Sequence, residues 1–133
     1  MHVITVVGLV HVRDGRLLVV RSRRKRAFYL PGGKLEPGET EQQALRREVD
    51  EELGVGLLDV RPLKRYLAPA YGEGPEALVD MTCFTAELDA TPTASGEIAE
   101  LAMVTAAEYA AHAETAPAIH EVLRDLVSAG KMS

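Results

Sequence analysis

From Val3 to Val12 apolar and polar positions alternate among β-branched residues, the period-two pattern of a strand. Asp14-Gly15 then supplies a hairpin turn, and Arg16 to Ser22 returns as a second strand. Phe28-Tyr29-Leu30 reads as a short strand stopped by Pro31-Gly32-Gly33. The period changes after Thr40, an N-cap residue that forms a capping box with Gln43. Leu45, Val49 and Leu53 recur every four residues, the buried stripe of a helix that ends at Gly54. Residues 57–67 and 77–88 are two more strands, joined by a loop carrying Pro69, Tyr71, Gly72, Gly74 and Pro75. A loop from Asp89 to Glu100 leads to a short strand at Leu101–Val104. Thr105 with Glu108 is a second capping box, and Pro117 to Ala129, closed by Gly130, is an amphipathic helix. Strands on both sides of one helix, with another helix at the end, predict an α/β (α+β) fold: a central mixed sheet covered by helices.

Composition narrows the class. With 133 residues, 47% hydrophobic and 26% charged, the chain is expected to form one domain, residues 1–133, around an apolar core. No apolar run approaches a membrane span, and the first residues read as a strand, not a leader. A net charge of −5 argues against a nucleic-acid polymer as partner. The single cysteine, Cys83, rules out an internal disulfide and suits a reducing cytoplasm; inside the apolar LVDMTCFTAEL it reads as a buried, inert thiol. The four histidines are scattered without ligand spacing.

The helix carries an anomaly in REVDEELG. Glu48, Asp50, Glu51 and Glu52 crowd its last turns, where the helix dipole disfavours anions, and Glu48 and Glu52 repel at a spacing of four. At about 100° per residue, Glu48, Glu51 and Glu52 share a third of the circumference, beside the Leu45–Val49–Leu53 stripe. Hard divalent cations take such oxygen ligands together with substrate phosphates, and a bound dication turns this repulsion into attraction.

Read from Gly33, the stretch GKLEPGETEQQALRREVDEELGV resembles the Nudix box. Gly33, Glu39, Arg47, Glu48, Val49, Glu51, Glu52, Gly54 and Val55 match all nine fixed positions over 23 residues without a gap. Outside the box the resemblance is one of pattern: two strands and PGG before it, EIAELAMV and a helix after it. It implies a Nudix α/β/α sandwich and hydrolysis of a nucleoside diphosphate linked to another group, with Mg²⁺ or Mn²⁺. Carried over by position, Glu48 and Glu52 are metal ligands, Glu51 a further ligand or a base, and the Gly33 carbonyl an added ligand. Arg47 lies about 80° or more around the helix from Glu48 and Glu52, so it is expected to pair with Glu39 and hold the loop against the helix. In some members of the family it resembles, a glutamate from a later loop serves as base or extra ligand; here Glu97 and Glu100 are the candidates, with Glu97 preferred. In the basic run 21–26, Arg23 is the choice for a phosphate contact, with Lys34 an equal competitor.

The expected substrate is a nucleoside triphosphate, ordinary or oxidised, cleaved to monophosphate and pyrophosphate. The runner-up is ADP-ribose or a nucleotide sugar, for which Pro69 is a weak positional cue. A nucleotide-sensing module without turnover is the non-enzymatic alternative, but such modules would lose box glutamates and this chain keeps them all. Met103 stands where relatives carry Trp, a change expected to affect packing only. Homodimers are common in the implied fold, and no residue pattern marks an interface.

Overall fold

The structure is a computed structural model that describes residues 2–133. Its strands are β1 (His2–Val10), β2 (Val12–Arg13), β3 (Arg16–Ser22), β4 (Gly32–Lys34), β5 (Leu57–Pro69), β6 (Ala77–Leu88) and β7 (Ile98–Val104). Its helices are α1 (Glu41–Leu53), α2 (Ala106–Ala110) and α3 (Pro117–Ser128). The sheet layer is divided in two. One sheet is mixed, in the order β4-β1-β6-β5, with β1 and β6 parallel and the other pairs antiparallel. The second, β2-β3-β7, is antiparallel.

Both sheets lie between α1 and α3 because inner strands such as β1 and β3 are apolar on both faces. Along β1, Val7 and Leu9 turn toward Ala44, Leu45, Val49 and Leu53 of α1, while Val10 turns toward α3. Along β3, Leu18 and Val20 pack with the α1 cluster, and Leu17 and Val19 with Ile119, Val122, Leu123 and Leu126 of α3. Alternation therefore continues, but both sets of residues are buried, as in a sheet covered on two sides. Cys83 is fully buried in the α3 cluster.

Both predicted capping boxes form, at Thr40/Gln43 and Thr105/Glu108, and Gly54 adopts the left-handed conformation with φ 67°. Asp14 and Gly15 both have positive φ, 53° and 74°, as a two-residue hairpin turn requires.

Several boundaries differ from the sequence reading, and the strand expected from Val3 to Val12 breaks at His11, so that β1 and β2 belong to different sheets. Residues 28–30 form no strand; Tyr29 makes one isolated bridge to Val20. The strand is Gly32–Lys34, which pairs with Val6, Val7 and Gly8. Glycine permits this close approach, since a Cβ on Gly32 would lie 2.0 Å from the Val7 carbonyl oxygen. β5 runs through Pro62 to Pro69 because it is an edge strand, where a missing N–H is tolerated. β7 begins at Ile98, three residues before the expected start, because Glu100 is not a loop residue. It stands opposite Arg21 and accepts a 2.8 Å hydrogen bond from its Nε.

Candidate active site

The site is built where α1 ends against β4. Glu48 and Glu52 are half-buried on the α1 face toward the glycine strand, and Glu51 is exposed. The Glu48 carboxylate occupies the space a side chain on Gly33 would fill: a Cβ there would sit 1.8 Å from Glu48 Oε2. Glu52 is fastened differently, its Oε1 accepting the Gly32 N–H at 3.1 Å. The two glycines therefore admit one carboxylate and hold the other.

Arg47 ties the approach loop to the helix, as the sequence led us to expect. Its Nε and Nη2 reach the two Glu39 oxygens at 2.7 and 2.9 Å, and Nη2 also donates to the Lys34 carbonyl at 3.1 Å. The guanidinium pulls the Glu39 carboxyl down to about 2, chiefly by that hydrogen bond. Arg47 goes further than its angular position suggests. Its Nη1 lies 2.7 Å from Glu48 Oε1 and 3.5 Å from Glu51 Oε2, because a long side chain can cross the separation that the helix sets between Cβ atoms.

Electrostatics mark the acidic stripe as short of positive charge. Burial pushes the Glu52 carboxyl up to about 8, with repulsion from Glu48, Glu51 and Glu97 adding to it against the Gly32 N–H. Glu48 is raised as well, first by burial and then by Glu51, with Arg47 opposing. Among the described residues no three His, Cys, Asp or Glu side chains are already gathered as a metal cage. The donor set nevertheless fits a hard dication: the groups that would hold it are carboxylate oxygens, those of Glu48 and Glu52 half-buried, and positive charge would stabilise them.

A cleft of about 440 Å³ opens beside this cluster, with Gly32, Gly33, Lys34 and Glu97 at its lining. Its walls are apolar, from Ile4, Val6, Val79 and Met81 of the mixed sheet and Ile119 of α3, and Tyr29, Tyr71, Lys25 and Glu73 add polar groups. A larger depression of about 840 Å³, lined by His11, Arg13, Asp89 and Met103 among others, contains none of the motif residues.

The remaining candidates separate clearly. Glu97 lines the cleft and its charge acts on Glu52, whereas Glu100 is paired with Arg21. Lys34 lines the cleft. The Arg23 guanidinium donates to the Gly96 carbonyl, and of the basic run it is Lys25 that lines the cleft. Two features escaped the sequence reading. The Gly32 amide is a backbone donor, invisible in side-chain patterns, and Ser95, which binds the end of α1, sits in an ordinary-looking polar turn.

An α/β/α layering with a carboxylate helix end facing a Gly-Gly strand and an apolar cleft defines a Nudix-fold protein. The chain belongs to the Nudix family, since the NUDIX domain model matches residues 1–126. It is 44% identical over 55 residues to a MutT-like protein of Streptomyces ambofaciens, covering 41% of this chain and 36% of that one. It is 41% identical over 59 residues to the CTP pyrophosphohydrolase of Escherichia coli strain K12, covering 41% and 44%. The chain thus spans less than half the length of these curated relatives. Among solved structures, the E. coli ORF135 protein superposes with a TM-score of 0.73 at 26% identity, over 96% of this chain and 91% of that one. The MutT Nudix hydrolase of Burkholderia pseudomallei gives 0.72 at 20% identity, over 96% and 99%, a likeness of fold alone.

Proposed function

We propose that the chain is a Mg²⁺-dependent hydrolase that cleaves a nucleoside triphosphate, ordinary or oxidised, with water to a nucleoside monophosphate and pyrophosphate. The observation that carries this reading is the contact between the carboxylate cradle and the cleft: Glu48 against Gly33, with Gly33 itself in the cleft lining. The cleft volume of about 440 Å³ falls within the range of small-molecule sites. The activities for which related proteins are named, a CTP pyrophosphohydrolase and the 8-oxo-dGTP diphosphatase of Haemophilus influenzae, support the substrate class.

Glu48 and Glu52, with Glu51 and the Gly33 carbonyl, would hold the cation. When bound, such a cation neutralises phosphate charge and lowers the pKa of a coordinated water. Glu97 takes the proton of the attacking water at its carboxylate. Lys34 and Lys25 compensate phosphate charge at the cleft, and the apolar walls receive the nucleoside and exclude water around it. Arg47 and Glu39 keep the loop and the helix in register. Among the described residues no helix is long and apolar enough to cross a membrane. A cytoplasmic site of action agrees with the free, buried thiol of Cys83.

The test is a hydrolysis panel at saturating Mg²⁺ with products resolved by mass, run beside Glu52→Gln. Monophosphate plus pyrophosphate from a triphosphate, abolished in the variant, supports the reading. AMP from ADP-ribose keeps the machinery and replaces the substrate. Binding without turnover would make this a sensing module.

A further inference from the structure

The last carbonyls of a helix have no partner within it. In α1 all four are satisfied, and three of them by a segment some forty residues further on. Gly54 N–H donates to the Asp50 carbonyl at 2.9 Å, and Thr93 N–H to that of Leu53 at 3.1 Å. Ser95 supplies the other two, its Oγ donating to the Glu51 carbonyl at 2.7 Å and its N–H to that of Glu52 at 2.9 Å. Gly96 follows with φ 58°, and a Cβ there would come within 2.9 Å of the same Glu51 carbonyl oxygen. From the other side, the Arg23 N–H donates to the Glu97 carbonyl at 2.9 Å and its guanidinium to that of Gly96. The turn that delivers Glu97 is held between the end of α1 and the end of β3.

We infer that Ser95 and Arg23 are positioning residues that set the reach of Glu97 to the carboxylate stripe, so that the 93–97 turn moves as one piece with the end of α1. Residues Glu51 and Glu52 offer their carbonyls to this turn and their carboxylates to the site. A shift of the helix end therefore carries Glu97 with it. Without these bonds, an exposed turn with polar residues would sample many positions. The Arg23 guanidinium is engaged by a main-chain carbonyl, which leaves phosphate contacts to Lys25 and Lys34.

This inference rests on Glu97 acting as the base, and a double-mutant cycle separates the two. Ser95→Ala, Ser95→Thr and Arg23→Ala are each made alone and with Glu97→Gln, and assayed on the triphosphate turned over fastest in the panel. Ser95→Ala and Arg23→Ala are expected to lower kcat about 10-fold or more with KM within about two-fold, since a small misplacement of a reacting group is costly. Ser95→Thr, which keeps the hydroxyl, restores the rate. In the Glu97→Gln background the same changes add less than about two-fold, because the group they position is already gone. Deuterium exchange gives a second readout: Ser95→Ala should speed exchange at the amides of position 95 and Ile98, which donate to Glu52 and to residue 95, and leave β1 and β6 unchanged.

A rise in KM for Arg23→Ala, equal in both backgrounds, would overturn the inference and make Arg23 a phosphate contact. Unaltered kcat and unaltered exchange in Ser95→Ala would overturn it for Ser95. If Glu97→Gln alone keeps full activity, the assignment of the base has failed; unaltered exchange would then overturn the clamp separately, and faster exchange would retain it.

Discussion

Gly33→Ala is the most direct challenge to the site geometry. Gly33 has φ outside the left-handed region, so alanine brings no backbone strain. Its whole effect comes from a methyl group placed 1.8 Å from Glu48 Oε2. Ordinary contact begins at 3.4 Å, so the carboxylate must retreat by about 1.6 Å. Being the end of a flexible side chain, it can do so without unfolding the protein. The retreat stretches the 2.7 Å hydrogen bond to Arg47, in a pair whose side chains are 23% and 17% exposed. Losing a partly solvated, charge-assisted bond of that kind costs about 1–2 kcal/mol, a fall of several degrees in Tm. Catalysis should suffer more. Misplacing a reacting group by about 1 Å can cost about 100-fold, or about 2.7 kcal/mol of transition-state stabilisation. The expected outcome is a folded protein whose kcat/KM drops by at least about 100-fold. Gly38→Ala is the control: Gly38 has φ 83° and no atom within 4 Å of a Cβ, so it brings strain without touching the site. Steady-state kinetics and thermal melts of both variants decide the matter. A folded Gly33→Ala protein within about five-fold of wild-type turnover would refute the cradle.

Other outcomes follow from the same groups. Glu52 is raised from 4.5 to about 8 by burial, so the native state without metal binds more protons than the unfolded one between those values. Its Tm in EDTA should fall as pH climbs through this window, Glu52→Gln should flatten the slope, and Mg²⁺ should raise Tm more at the upper end; a flat wild-type profile contradicts the burial argument. Glu39 behaves oppositely, being lowered from 4.5 to about 2 by Arg47. The stability lost in Arg47→Lys, which cannot form the two-pronged contact, should be evident above the upper value and vanish as pH drops toward the lower one. Cys83 has its thiol pushed up to about 12 by burial. A disulfide-exchange reagent near neutral pH should leave it unmodified in the native protein and react fully in concentrated guanidinium; rapid native labelling would mean the α3 side of the core opens readily.

What could be read in advance follows from how far along the chain each cause acts. The helix at 41–53, its caps and its buried stripe depend on residues three or four apart, and they were legible to the residue. The Arg47–Glu39 pair was legible because both belong to one motif of fixed spacing. The strand at Gly32–Lys34 was not, since glycines that read as a stop are there to let β4 approach β1 and Glu48 approach Gly33. Glu100 looked like a loop carboxylate until Arg21, 79 positions earlier, appeared opposite it. Ser95 had no local signal at all. Its role comes from the unpaired carbonyls of α1, a need created by the end of a helix and answered from 44 residues away. The acidic end of α1 puzzled the sequence reading because it placed anions at the negative pole of a helix. The structure supplies part of the compensation in Arg47, which reaches Glu48 and Glu51, and in backbone donors, Gly32 for the Glu52 carboxylate and Ser95 for two carbonyls, and leaves the stripe with more carboxylates than cations beside the cleft. That residue of unbalanced charge is the physical reason to look for a cation there.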